Sequence, residues 1–205
     1  MPSSTSGSPI GKTADHLYLG KVSVSGWPFM NHDSYPEGYI RDILRDVKTV
    51  ALVGASDSAV RPSYFVMKYL LDKGYDVTPV NPGLAGTMIL GHQVYASLKD
   101  IPYRIDMVDI FRNSKAAGPI TDEALALERL PSVIWMQLRV RNDEAAARAE
   151  AKAVKVVMNR CPKMEYGKLS GEWAWIGGNS GLISSRRQTL HHNGKIQSLG
   201  IGRKD

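Results

Sequence analysis

The chain has a single cysteine in 205 residues, Cys161, so no disulfide can form within it. It has no apolar run long enough to cross a bilayer; stretches such as Val133-Ile134-Trp135-Met136 stop after a few residues. The start lacks the apolar segment of a secretory signal, and a cytoplasmic location with no membrane partner is expected. A metal pattern is missing too: His16 lies in the Ser-rich start, His191 and His192 sit in a polar tail without a third ligand, and His92 falls in a loop.

The chain also has little excess charge over most of its length. Residues 1–159 hold 18 Lys/Arg against 17 Asp/Glu, while residues 160–205 hold 8 against 3, so nearly all of the net +6 belongs to the tail. Nucleic-acid binding needs cations clustered on a surface, so a nearly neutral body with a basic tail argues against it.

What is present suits one globular domain, with 43% apolar and 22% charged residues. Residues 1–37, with a Ser-, Gly- and Thr-rich start, are expected to be a mobile extension. Residues 38–162 make the domain, and residues 163–205 a basic extension packing partly on it. A short amphipathic helix is expected around Tyr39–Leu44. Apolar strand-like runs then appear at 48–54, 76–80, 105–111, 132–138 and 154–159. Helical segments intervene at 62–73, near 96–100, at 115–129 and at 142–152.

Several strands are apolar at successive positions, as in Val50-Ala51-Leu52-Val53, which means burial on both faces. Alternating strands and helices then predict an α/β fold: a doubly wound, parallel, five-stranded sheet with helices on both faces. Pro62 suits the first turn of a helix and Gly74 its stop, while Asn142 is a good cap with Asp143 and Glu144 at the positive end of the helix dipole.

In such sheets ligands lie beyond the carboxyl ends of the strands, where the strand order reverses. The residues there are Gly54-Ala55-Ser56, Asn81-Pro82-Gly83, Phe111-Arg112-Asn113, Gln137-Leu138-Arg139 and Asn159-Arg160-Cys161-Pro162. Gly54 would let the backbone turn sharply beside a phosphate at the next helix start, and Arg61 would add a charge-assisted contact. The competing reading makes Gly54 a plain turn and Arg61 a solvated side chain. This stretch has one glycine where the dinucleotide motif has three, and the second strand ends in Asn81 where NAD sites place a carboxylate. Both absences count against NAD, though not against a nucleotide bearing a 3′-phosphate and a pantetheine arm.

"VALVGAS" followed by "RPSYFVMKYLLDKGYDVTPVNP", then "IDMVDIFR", "VIWMQL" and "VVMNRCP", closely resembles the small stand-alone CoA-binding domain proteins. These are similar to the CoA-binding domain of the succinyl-CoA synthetase alpha subunit. The resemblance covers about residues 38–185 and rests on five motifs in order. It implies a Rossmann-like fold holding the nucleotide of CoA or an acyl-CoA near Gly54, Ala55 and Ser56, with Arg61 and Ser63 beside the phosphates. Asn81, Pro82, Phe111, Arg112 and Gln137 match the later motifs. Two departures stand out. Arg139 replaces a glycine of the Met-Gln-Leu-Gly-Val-like pattern, and Ala153 stands where relatives more often carry glycine. A glycine at 139 would permit a positive backbone angle or close ligand approach; arginine obstructs both or supplies a new phosphate contact, and the sequence leaves these alternatives open.

Cys161 is the one candidate nucleophile, beside Arg160; the competing reading is a partly buried small residue at a strand end. Asp106 and Asp109 flank Met107-Val108, where capping or hydrogen bonding is expected ahead of ligand contact. Trp173 and Trp175 are expected to pack the C-terminal extension onto the body or another subunit. No complete set of nucleophile, base and orienting group is evident. The expectation is a non-catalytic carrier, sensor or regulator that binds CoA or an acyl-CoA, with homo-oligomerisation open. The alternatives are an NAD(P)-binding redox protein and a thiol or acyl-transfer enzyme using Cys161.

Overall fold

A computed structural model describes residues 30–36 and 38–171, and the backbone of a hairpin at 191–192 and 195–196. The expectations for His16, Trp173 and Trp175 lie outside the described residues.

The helix α1 (Tyr39–Asp46) leads into β1 (Thr49–Val53), α2 (Pro62–Asp72) and β2 (Asp76–Val80). A small antiparallel hairpin, β3 (Met88–Ile89) with β4 (His92–Gln93), and a short 3-10 turn at Leu98–Asp100 follow. Then come β5 (Met107–Ile110), α3 (Ser114–Leu125), β6 (Val133–Met136), α4 (Asp143–Ala151), β7 (Lys155–Val157) and α5 (Pro162–Ser170). The two-residue strands β8 (His191–His192) and β9 (Lys195–Ile196) form the separate hairpin.

The five main strands pair in parallel in the order β2-β1-β5-β6-β7. Beyond β2, Tyr95 makes one further parallel bridge to Val80. The chain runs from β1 outward to β2 and returns to the other side of β1 as β5, so the strand order reverses between β1 and β5.

Side chains alternate between the two faces of each strand. Val50, Leu52, Met107, Val133, Trp135 and Val157 join one core with Ile43 and Leu44 of α1, Val66, Met67 and Leu70 of α2, and Tyr166 of α5. Ala51, Val53, Val108, Ile110, Ile134, Met136 and Val156 meet the alanine-rich faces of α3 and α4 on the other side. This is the doubly wound α/β arrangement read from the sequence. The predicted Asn142 cap accepts from Ala145 N at 2.9 Å, and Gly74, with φ 86°, follows α2.

The packed body extends at both ends past 38–162. Tyr166 of α5 is fully buried, and Tyr35 and Tyr39 reach the outer strand β7 and the residue that follows it. The Tyr35 hydroxyl accepts from Met158 N at 2.6 Å, and the Tyr39 hydroxyl donates to the Val156 carbonyl at 3.3 Å. Their rings stack with centroids 5.6 Å apart. Asp33 pairs with Arg141, and the Arg160 guanidinium lies over the Tyr35 ring. No helix among the described residues is long and apolar enough to cross a membrane.

Candidate functional site

The carboxyl ends of β1 and β5 meet at Gly54. Its φ of 90° lies in the left-handed region, and its N–H donates to the Val80 carbonyl at 2.9 Å. A Cβ at this position would lie 2.6 Å from the Phe111 carbonyl oxygen and 2.9 Å from Arg112 Cδ. Glycine is therefore required twice, by the backbone angle and by the approach of the loop after β5.

Asn81 locks the neighbouring turns together. Its Nδ2 donates to the Ala55 carbonyl at 2.7 Å, and its Oδ1 accepts from Gly83 N at 2.9 Å. Both ends of that amide are engaged internally, so Asn81 shapes the site from behind. Pro82 is exposed and opens the short turn that Asn81 caps. Ser56 Oγ accepts from Ser58 N at 3.2 Å and closes the β1–α2 loop on itself, beside buried Ala55.

At the start of α2 the capping differs from that of α3 and α4. Asn113 and Asn142 cap α3 and α4 through their side chains, whereas Arg61, at the cap position of α2, makes no such bond. Pro62 follows, with no N–H to donate. Ser63 then places a hydroxyl in the first turn. It is only 5% exposed, and no hydrogen bond to it is found among the described residues. Free amides at a helix start, with the positive end of the helix dipole, favour an anion.

The cations around this turn are also uncommitted. Arg41, Arg45, Arg104, Arg141, Arg148 and Arg160 form ion pairs, while exposed Arg61, Arg112 and Arg139 form none among the described residues. These three follow β1, β5 and β6 at the same end of the sheet. Phe111, half-buried, anchors the loop carrying Arg112: its N–H donates to the Val53 carbonyl at 2.8 Å.

Beneath the rim lies a buried polar pair. Gln137 Nε2 donates to the two Asp109 carboxyl oxygens at 2.9 and 3.1 Å, and Asp109 has no exposure at all. Burial pushes the Asp109 carboxyl up to about 8, with the Gln137 hydrogen bond acting in the opposite direction. Gln137 is thus turned inward to hold Asp109. Asp106, by contrast, caps a turn: its carboxyl accepts from Lys48 N at 3.0 Å and Thr49 N at 3.1 Å.

Cys161 occupies the cap position of α5 and is 7% exposed. Burial pushes its thiol up, and nearby Asp109 adds to that rise. Arg160 is held elsewhere, by Glu165 at 3.7 Å and by the Tyr35 ring, and its carbonyl accepts from Trp135 Nε1 at 2.8 Å. This surrounding disfavours a thiolate. No cluster fit to hold a metal ion occurs among the described residues.

The two departures noted in the sequence adopt the angles a glycine would favour. Arg139 has φ 65° and Ala153 has φ 59°. For a side-chain-bearing residue this conformation costs about 1–2 kcal/mol. At Arg139 the strained turn is held by Asn159, itself at φ 53°, whose Oδ1 accepts the Arg139 N–H at 2.8 Å. The arrangement gathers three unpaired guanidinium groups and an uncapped helix start at one end of the sheet, features that favour an anion, and no paired nucleophile and base is found there among the described residues. A hollow of about 470 Å³ lined by Leu98, Tyr103, Arg104 and Arg129 lies at the other end of the sheet, away from these groups.

The CoA binding domain family model matches residues 48–167. A Bacillus subtilis (strain 168) protein, YneT, described as uncharacterized, is 35% identical over 127 residues, covering 62% of this chain and 91% of its own. The solved structure of a hypothetical protein from Pyrococcus horikoshii OT3 is 38% identical with a TM-score of 0.63, covering 68% of this chain and 96% of its own. A Thermus thermophilus structure is 33% identical with a TM-score of 0.60, covering 68% of this chain and 98% of its own. The sheet, the β1–α2 turn and the strand-end loops all fall inside the matched stretch, and the chain belongs to the CoA binding domain family.

Proposed function

We propose that this protein binds CoA or an acyl-CoA as a cytoplasmic carrier, sensor or regulator, without itself performing a reaction. The observation that carries the reading is the start of α2. There Ser63, 5% exposed as a residue, makes no side-chain hydrogen bond among the described residues, and the helix has no side-chain cap. Arg61 and Arg112, neither of them ion-paired among the described residues, flank the same turn. A diphosphate would engage these groups together: the Ser63 amide and hydroxyl donate, and the guanidinium groups neutralise. Gly54 lets the backbone come close, as its φ of 90° requires.

A non-catalytic role is supported by the buried, thiol-form environment of Cys161 and by the inward engagement of Gln137 with Asp109.

Thermal unfolding with CoA, dephospho-CoA, acetyl-CoA and NADP tests the reading. CoA at 100 times its dissociation constant stabilises by about 2.7 kcal/mol, and NADP does not compete. Absence of a shift with every CoA species refutes it. Turnover of acetyl-CoA by the purified protein would refute the non-catalytic part alone.

A further inference from the structure

Past the β1–α2 turn, the uncommitted groups continue in one direction only. Towards β2 the Asn81 amide is engaged at both ends, with Ala55 and Gly83. Towards β5 and β6 lie unpaired Arg112, then Leu138 and Arg139. Adjacent strands are about 4.8 Å apart, so the end of β6 stands roughly 10 Å from that of β1.

Leu138 is 49% exposed. Arg139 follows it, exposed, unpaired and in the left-handed region at φ 65°. Its turn leans away from β1. Its N–H bonds to Asn159 Oδ1 beyond β7, and Asn159 N donates to the Val140 carbonyl at 3.1 Å. Arg139 thus stands two strands along the sheet from the Gly54 turn, on the side of β7.

CoA carries its phosphates at one end and its thiol at the other. An apolar side chain followed by a cation without an ion pair among the described residues, two strands along from the turn, complements a methylene chain that ends in a negative charge. Resting on the CoA reading above, we propose that Leu138 and Arg139 select acyl-CoA thioesters whose acyl group ends in a carboxylate. A backbone strained around an arginine is accounted for when that arginine contacts the ligand. The Arg139 fork can take a carboxylate with two hydrogen bonds.

The test is calorimetric titration of the full chain with CoA, pentanoyl-CoA and glutaryl-CoA; the two thioesters have acyl chains of equal carbon count and differ in the terminal carboxylate. Glutaryl-CoA is expected to bind about tenfold more tightly than pentanoyl-CoA, as one charge-assisted contact allows. Arg139→Gln should bring that ratio to near one. Arg129→Gln, at the opposite end of the sheet, should leave it intact. A ratio near one in the unaltered protein that still binds CoA overturns this inference and leaves the CoA reading standing. A ratio that survives Arg139→Gln overturns it as well. If none of the three ligands binds, the CoA reading falls and this inference with it.

Discussion

Gly54 and Phe111 touch across the point where the sheet reverses: a methyl group on Gly54 would stand 2.6 Å from the Phe111 carbonyl oxygen. The two loops that frame the crevice thus determine each other's position. Gly54→Ala should cost about 1–3 kcal/mol from the left-handed angle, before the clash is counted, and should abolish CoA binding by pushing the loops apart. Denaturant midpoints and titration calorimetry measure the two effects. Unchanged stability in this variant would contradict the geometry.

Asp109 should make the protein weaken as the solution turns alkaline. Its carboxyl is pushed up to about 8 in the folded state, above the ordinary value of about 3.9 expected when unfolded. The folded chain then keeps a proton that the unfolded chain releases. Its contribution is fully present below about pH 4 and is lost as pH rises through about 8. Between pH 5 and 8 the loss is on the order of a few kcal/mol. Asp109→Asn, which can still pair with the Gln137 amide, should flatten the urea-midpoint curve over that range. Parallel curves for the two proteins would rule the assignment out.

Arg61→Ala and Arg112→Ala should each weaken CoA by about tenfold, as expected on losing a charge-assisted contact to phosphate. The unfolding midpoints should stay where they are, because these side chains form no ion pair among the described residues. The salt dependence of CoA affinity should become shallower in both. Full affinity in both variants would remove the phosphates from this turn.

Cys161 should resist thiol reagents in the folded state. Burial holds the thiol protonated, so alkylation should run far more slowly in buffer than in urea, and CoA disulfide should leave no adduct on intact mass. Rapid native labelling would reopen the catalytic alternative.

Ala153→Gly should stabilise the protein. The residue sits at φ 59°, and relief of that strain, less the entropy a glycine costs, leaves about 0.5–1 kcal/mol. A melting temperature higher by roughly 2–4 °C is the expected readout.

The strands and the helices between them were legible because their signals are local. A buried parallel strand shows as a continuous apolar run, as at Val50–Val53, and a capped helix shows as Asn142 followed by acids. The angle at Arg139 was readable as a question from the residue type alone. Its answer needed Asn159, which lies 20 residues on. The pairing of Asp109 with Gln137 spans 28 residues and leaves no periodic trace. Helix α5 was overlooked within the C-terminal extension, although Pro162 at its start and Gly171, with φ 79°, at its end mark it. The contacts of Tyr35 and Tyr39 with β7 and the residue after it span more than a hundred residues, as between Tyr35 and Met158, beyond any local pattern.

The two stacked tyrosines also decide how this molecule behaves towards its own kind. An outer strand with free N–H and C=O groups is a template on which another chain can add a strand, the route to runaway association. Here Met158 N and the carbonyl of Val156 are already taken by phenolic hydroxyls. These hydroxyls come from residues 35 and 39, ahead of the stretch shared with the family. The segment before the domain thus takes up two of the backbone groups that a neighbour's strand would need on that side.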